Sequence, residues 1–251
     1  MIVCKSSSEI EKLKKSNHIV SLILEELRKS VKPGVTTLEL DQLAEKLTRK
    51  HDCIPAFKGY RNYPACLCLS VNEQIVHGIP GNRKLQNGDI VSLDLGVKCD
   101  GFYGDAAITV PVGEVSPESQ KLIDITKEAL YLGIEKARAG NRLSDISHAI
   151  QTWVEKHGFS VVRDFVGHGI GKNLHEEPQI PNFGKPGFGP RLRKGMVLAL
   201  EPMVNAGGHE IKILDDGWTA VTADGSRSAH FEHSIAVTED GPLVLSERGA
   251  S

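Results

Sequence analysis

An internal duplication is the feature of this chain that most limits its possible folds. A shift of 106 or 107 residues aligns the two halves of the 251-residue sequence. Repeated patterns of this kind indicate two similar units that pack together. We therefore expect a single domain over residues 1–251, built from pseudo-symmetric halves of about 1–112 and 113–251. The aligned blocks are Pro33-Gly34 with the helical segment to His51 against Ala139-Gly140 with the segment to His157, and residues 85–94 against residues 192–201.

Each half carries an acid at the end of a buried apolar strand and a second acid on a later strand. Asp94 aligns with Glu201, while Asp105 and Glu232 are the later acids. A hairpin that turns at residues 99–101 would bring Asp94 and Asp105 opposite each other to within one residue, on one face. Buried carboxylates repel each other unless one is protonated or a cation lies between them. The hairpin by itself leaves two interpretations open, a metal site and a pair of solvated aspartates.

Capping patterns and apolar periodicity predict helices around an antiparallel sheet, an α/β (α+β) fold. The predicted helices are one capped by Ser8 and Glu11 that runs to Val31, one capped by Thr36 that runs to about Lys50, one from Ser116-Pro117 to about Arg138, and one capped by Ser144 that runs to Gly158. The predicted strands include residues 65–71, 74–77, 161–166 and 196–200.

Composition narrows the classes of function. A formal net charge of -2 gives no electrostatic basis for nucleic-acid specificity, and we expect none. The sequence contains no uninterrupted apolar run of about 18 residues, the length that a transmembrane helix needs, so it predicts no membrane span. Five cysteines without regular spacing, and a start that lacks a signal-like segment, favour a reducing, cytoplasmic location. Cys66 and Cys68 lack the second pair that a zinc knuckle needs, so we interpret them as packed strand residues.

Together the two halves offer four carboxylates and one imidazole, from Asp94, Asp105, His168, Glu201 and Glu232. A set this rich in oxygen suits divalent cations harder than those that a thiolate site selects. We expect two ions, because one would leave surplus negative charge and because carboxylate-bridged pairs about 3.5 to 4 Å apart are a known hydrolytic arrangement. Co, Mn, Fe and Zn all fit such a site, and the residue types do not choose among them.

The chain resembles the type I methionine aminopeptidases over essentially its whole length. This resemblance implies the duplicated pita-bread fold, a pseudo-two-fold antiparallel sheet with helices on its outer face. It also implies hydrolytic removal of the initiator methionine from nascent proteins whose second residue is small. The motifs that carry it are Ser70-Val71-Asn72-Glu73 with His77-Gly78-Ile79-Pro80, the hairpin from Asp94 to Asp105, Gly167-His168-Gly169-Ile170-Gly171, His175-Glu176-Glu177-Pro178 with Ile180-Pro181-Asn182, Glu201-Pro202-Met203, and Phe231-Glu232-His233.

The resemblance also implies roles for individual residues. The five candidates above would be metal ligands, with Asp105 and Glu232 bridging the two ions, and a hydroxide held between the ions would attack the scissile carbonyl. Glu201 would accept and return the proton. His77 would contact the amide nitrogen or assist its departure, and His175 would donate to the carbonyl or oxyanion. The free amino terminus of the substrate would bind on the Asp94 side.

A methionine pocket should be apolar and aromatic, because a thioether is recognised by shape and by contacts between sulfur and rings. Two positions depart from the family pattern. Leu174 stands where Phe is frequent, and His230 stands where Gln is common. Period two would put His230 on the Glu232 face as a partner of the metal ligands. The pocket and substrate-contacting residues implied by the resemblance are Phe57, Tyr60, Tyr63, Cys68, Leu174 and Trp218, with His77 and His175 beside them.

Alternatives from two classes stay open. One is a related pita-bread hydrolase, either an X-Pro directed peptidase or a creatinase. Those enzymes usually carry a large extra N-terminal domain, which this sequence lacks. The sequence also lacks an N-terminal zinc-binding extension, and it lacks the long insertion between Glu201 and Glu232 that is expected of the type II class. The other is a catalytically inactive homologue that acts as a binding module, although all five candidate ligands are intact. We expect nascent polypeptides at the ribosome as the partner, a monomeric enzyme, and no membrane association.

Overall fold

A computed structural model describes residues 2–247 of the chain, and residues 1 and 248–251 lie outside the described part. Within that range the four α-helices are α1 (Ser7–Ser30), α2 (Thr37–Lys50), α3 (Pro117–Lys136) and α4 (Leu143–Lys156). The strands are β1 (Ile54–Pro55), β2 (Leu67–Val71), β3 (Gln74–Val76), β4 (Ile90–Cys99), β5 (Phe102–Pro111), β6 (Ser160–Val161), β7 (Gly167–Gly169), β8 (Glu176–Ile180), β9 (Val197–Leu200), β10 (Met203–Asn205), β11 (Ile211–Ile213), β12 (Ala220–Thr222), β13 (Ser228–His230), β14 (Glu232–Val237) and β15 (Pro242–Val244).

The main sheet joins the two halves of the chain edge to edge. Its strand order is β1-β4-β5-β14-β9-β7-β8, with β2 paired to β4 and β15 paired to β14. These strand pairings are all antiparallel, and the junction between the halves is the β5–β14 pair. Helix α1 packs on β4 and β5, while α3 contacts β9 and β14. The sheet therefore has a pseudo-two-fold axis between β5 and β14, with β4 and β9 as equivalent strands on its two sides.

The duplication predicted from sequence reappears as pairs of equivalent backbone contacts. An isolated bridge joins Thr36 to Lys84 in the first half, and its counterpart joins Arg142 to Arg191 in the second. Likewise the amide of Gly34 donates to Leu85 O at 2.8 Å, and the amide of Gly140 donates to Leu192 O at 2.9 Å. Both glycines have positive φ, where a residue with a Cβ is strained. The second half therefore repeats the first in its turns as well as in its elements.

Each half also has its own apolar core. The first core joins α1 and α2 to β2 and β4 through residues such as Leu27, Leu40 and Leu93, and the second joins α3 and α4 to β9 and β14. Complete burial of one such leucine side chain contributes about 1.5–3 kcal/mol. Among the described residues, no helix is both long enough and apolar enough to cross a membrane.

Two helix starts differ from the predicted positions. Helix α1 is capped by Ser6, whose Oγ accepts the amide of Glu9 while the Glu9 carboxylate accepts the amide of Ser6, so the capping box predicted at Ser8 and Glu11 is wrong by two residues. Helix α4 starts after Arg142 instead of Ser144, because the Asp145 carboxylate accepts the Arg142 amide. The hydroxyl of Ser144 accepts the amide of Phe188 instead.

The strand predicted over residues 161–166 is also wrong in length. Only Ser160–Val161 pairs, with β10, and the chain then leaves the sheet before β7. Val162 is buried and its amide still donates to Met203 O on β10, but residues 163–166 lie outside the strands, so the apolar pattern predicted too long a strand. The structure further joins Cys53 and Cys99 in a disulfide, with their Cα atoms 4.8 Å apart. Their separation of 46 residues offered no spacing signal for that pair.

Candidate active site

The candidate site lies on one face of the main sheet, where strands from both halves meet. The β4–β5 hairpin turns at Asp100 and Gly101, both with positive φ, so Asp94 pairs with Ala107 and Asp105 pairs with Gly96. The two aspartates are thus offset by two residues, and the prediction that they oppose each other to within one residue is wrong. An even offset keeps both side chains on the same face, because side chains alternate with period two.

The strand register also brings acids of the second half to this face, across the axis. Asp94, Asp105, Glu201 and Glu232 are together called the acidic row. Glu232 on β14 pairs with Ala107, the residue that also pairs with Asp94. Glu201 directly follows β9, and His168 on β7 pairs with Ala199 of β9. Five strands, β4, β5, β7, β9 and β14, therefore deliver four carboxylates and one imidazole to the same face.

Close backbone packing brings the imidazole into this row. His168 stands between Gly167 and Gly169, and a Cβ at either glycine would lie within 2.4 Å of a carbonyl oxygen, of Ala199 or of Glu177. The two glycines thus allow β7 to approach its neighbours closely. His168 Nδ1 bonds to Gly169 O at 2.9 Å, which makes Nδ1 the donor and leaves the Nε2 lone pair facing the acids. Nε2 lies 3.5 Å from Glu201 Oε1 and 4.0 Å from Asp105 Oδ2.

The acids themselves are held by residues that carried no signal in the sequence. Asn17 of α1 accepts the backbone amide of Asp105, and the Ser234 hydroxyl donates to the Asp105 carbonyl. Gly104 lets α1 pack directly on β5, because a Cβ there would meet the backbone of Ser16 at 2.6 Å. Each contact depends on long-range packing, so no local pattern predicts it.

Burial gives the carboxylates unusual electrostatics. Burial raises the pKa of Asp94 to about 7. Burial, and next the charges of Asp94 and Glu201, raise the pKa of Asp105 well above its usual value. Burial and the neighbouring acids likewise raise the pKa values of Glu201 and Glu232. Burial lowers the pKa of His168 to about 4, so its imidazole is neutral at pH 7.

Two further histidines line the same cavity as the acids. The rings of His175 and His168 make a tilted contact with their centroids 4.3 Å apart, and His175 Nδ1 lies 2.9 Å from the Tyr60 hydroxyl. His77 makes edge contacts with the rings of Phe165 and Trp218, at 5.3 and 6.1 Å between centroids. Its φ of 61° is a strained value for a residue with a Cβ, and such strain is found most often at functional positions. Burial lowers the pKa of His77 to about 4.

All the residues named from sequence as ligands, catalytic groups or pocket walls line one cavity of about 170 Å³. Their individual roles stay predictions. Arg61 lines the cavity too and was missed, although it lies between the predicted pocket residues Tyr60 and Tyr63. His230 belongs to β13 instead of β14, and its Nε2 lies 3.9 Å from Glu201 Oε2. His230 thus lies next to one of the candidate ligands, where a partner of the metal ligands was expected, and that role stays a prediction.

Comparison with known proteins places this geometry in a family. Residues 11–239 match the model of metallopeptidase family M24. The chain belongs to that family. It is therefore a metal-dependent peptidase, and its main sheet with outer helices is the pita-bread fold of M24 proteins, as predicted.

Individual M24 relatives match along nearly their full length. The chain is 55% identical to methionine aminopeptidase 1 of Bacillus subtilis, covering 98% of this chain and 99% of the relative. It is 55% identical to a methionine aminopeptidase of Clostridium perfringens, with 98% of each covered. A crystal structure of methionine aminopeptidase from Thermotoga maritima superposes with a TM-score of 0.97 at 50% identity, covering 99% of this chain and 100% of that one. A prolidase from Pyrococcus horikoshii, at 21% identity and a TM-score of 0.80, shares the fold.

The residues of this M24 site fit a cation. Asp94 Oδ1, Asp105 Oδ1 and Glu232 Oε1 are buried without a hydrogen-bond partner among the described residues. Ligand atoms of Asp105, His168 and Glu232 all lie within 4.8 Å of one another. Unpaired buried carboxylate oxygens are costly, and a shared cation removes that cost. The donor set of carboxylate oxygens and one imidazole suits a divalent metal.

Proposed function

We propose that this M24 peptidase removes the initiator methionine from polypeptides whose second residue is small. One observation carries the proposal. The acidic row opens directly into an apolar and aromatic cavity large enough for a single side chain. The full-length likeness to methionine aminopeptidases of Bacillus subtilis and Thermotoga maritima supports it.

The proposed methionine pocket follows from the sheet register. Cys68 on β2 pairs with Asp94 on β4, so the thiol lies in the strand next to the acidic row. Tyr63 packs edge-on against Trp218 at 5.1 Å between ring centroids and is almost fully buried. Sulfur and aromatic rings around a cavity of this size favour an unbranched, polarizable thioether. Phe57 and Leu174 complete the apolar lining.

The metal centre is proposed to hold two divalent ions. The ligands would be Asp94, Asp105, His168, Glu201 and Glu232, of which Asp105 and Glu232 come from the two strands at the axis. Mn, Fe, Co and Zn all suit these donors. Bound there, the metal supplies Lewis acidity for water activation and carbonyl polarisation.

The protein groups then move the proton. The Glu201 carboxylate takes a proton from the attacking water as the water oxygen bonds to the scissile carbonyl carbon. It returns that proton to the leaving nitrogen as the C–N bond breaks. His175, directed by the Tyr60 hydroxyl, donates to the carbonyl oxygen as negative charge develops on it. His77, held by its ring contacts, faces the amide nitrogen.

Selection for a terminal residue would follow from the place of the free amino group. Tyr63 and Cys68 are buried and would confine the methionine side chain. The free amino group would bind beside Asp94, where the negative charge favours a cation. We further infer one catalytic domain made of the two halves, a monomeric enzyme, a cytoplasmic location, and nascent chains at the ribosome as the natural substrates.

The test is release of free methionine from matched tripeptides. Met-Ala-Ser should be cleaved at least about 100-fold faster than Met-Leu-Ser, measured as kcat/KM, because a larger second residue crowds the cavity mouth. An X-Pro dipeptide should not be cleaved. Equal turnover of Met-Ala-Ser and Met-Leu-Ser would contradict the specificity, and preferential cleavage of the X-Pro dipeptide would favour the related peptidase class instead.

A further inference from the structure

A buried ion pair lies directly behind His175. The Lys5 ammonium contacts the Glu176 carboxylate at 2.5 Å, and the two side chains are only 5% and 14% exposed. A lysine is rarely buried to this degree unless it is paired, because removing an ammonium from water is costly. The pair joins the start of the described chain to the residue that follows His175, across 171 positions of sequence.

Glu176 also organises the turn that presents His175. Its Oε1 accepts the backbone amide of Asn173 at 3.1 Å, while its Oε2 binds Lys5. The amide of Gly171 donates to Asn173 O. A Cβ at Gly171 would lie within 2.7 Å of both the Lys5 ammonium and the Glu176 carboxylate, so a side chain there would displace the ion pair. The segment before β8 is not helical, and the Glu176 carboxylate stabilises its backbone instead.

Lys5 is itself anchored to the strand that leads to Glu201. Its backbone amide donates to Gly195 O at 2.6 Å, in the turn before β9. The amide of Gly195 in turn donates to Val237 O on β14. The ion pair therefore connects the His175 turn to the two strands that carry Glu201 and Glu232.

We propose that the Lys5–Glu176 ion pair is a positioning element that sets where the His175 ring stands relative to the acidic row. The Tyr60 hydroxyl orients the ring from the cavity side, and the ion pair holds the backbone from behind. Lys5 is thus a positioning residue that acts through His175 and does not touch the substrate. The inference rests on the proposed function, because it assigns His175 a part in that reaction.

The test is a double-mutant cycle that combines Lys5→Met with His175→Ala, assayed on Met-Ala-Ser in the metal-loaded enzyme. A displacement of about 1 Å in a catalytic group lowers the rate by about 100-fold. We therefore expect Lys5→Met to lower kcat about 10- to 100-fold with less than a threefold change in KM. In the His175→Ala background the same substitution should change kcat less than twofold. Lys5→Arg, which keeps the charge, should recover most of the rate.

Glu176→Gln provides a second route to the same result, in case Lys5→Met fails to fold, and thermal unfolding of each variant reports on folding. Lys194→Met is the matched control, because Lys194 pairs with Glu239 at an exposed site and should leave kcat within twofold. Equal losses from Lys5→Met in both backgrounds, or no loss in either, would overturn the inference. Absence of methionine release by the unmodified enzyme would instead overturn the proposed function.

Discussion

Replacing Glu201 with Gln is expected to lower kcat/KM for Met-Ala-Ser by about a thousandfold or more. The substitution keeps the shape of the side chain but removes its negative charge and its ability to accept a proton. Proton transfer by a positioned group contributes typically 10²–10⁴-fold, and loss of a metal ligand adds to that. Glu201 Oε1 lies 3.5 Å from His168 Nε2, so the change falls at the centre of the acidic row.

The control for this variant is Glu210→Gln, the same substitution at a side chain that is 67% exposed. It should retain activity within twofold. Steady-state kinetics and the metal content of each purified protein check the prediction together. A Glu201→Gln enzyme that keeps more than a tenth of the activity with normal metal content would contradict the role given to Glu201.

The metal-free protein is expected to lose stability as pH rises from about 6.5 to 7.5. Burial raises the pKa of Asp94 to about 7, and burial together with the neighbouring acids raises the pKa values of Asp105, Glu201 and Glu232 above their usual range. Around pH 7 the folded state therefore still holds a proton on the Asp94 carboxylate that the unfolded state has already lost, so raising the pH favours unfolding. The site histidines, with lowered pKa values, are neutral in both states over most of this range.

The expected size follows from linkage. Each carboxyl group that stays protonated only in the folded state contributes about 1.4 kcal/mol per pH unit, or roughly 3–6 °C in Tm for a chain of this length. Thermal unfolding of chelated protein across the window measures it. Metal-loaded protein should show a flatter profile, and Glu232→Gln should raise the Tm of the metal-free form at pH 8. A flat metal-free profile, or a Glu232→Gln variant with a lower Tm than the parent, would contradict this account of the acids.

Sequence periodicity was most informative where a pattern was repeated or local. The duplication aligned Asp94 with Glu201, and it aligned the turn at Gly34 with the turn at Gly140. It could do so because equivalent glycines and apolar positions recur at a constant shift. It also implied the position of the α4 cap, since Arg142 aligns with Thr36, yet the local preference for serine pointed to Ser144. At that position the global repeat was the better guide than the intrinsic capping preference.

What the sequence could not predict depends on contacts between distant segments. The offset of the Asp94 hairpin required the turn geometry at Asp100, where a second residue with positive φ shifted the pairing. Asn17 reaches Asp105 only because α1 packs on β5, and Lys5 meets Glu176 only after the whole chain has folded. Such contacts leave no periodic trace along the chain, so they are found only in three dimensions.

The central claim is that acids from two duplicated halves form a metal centre that releases terminal methionine. The most direct measurement is free methionine produced from Met-Ala-Ser by fully chelated protein before and after add-back of Mn, Fe, Co or Zn. We expect no release without metal and recovery that saturates near two equivalents of ion. Undiminished release from protein whose metal content is below detection would contradict it.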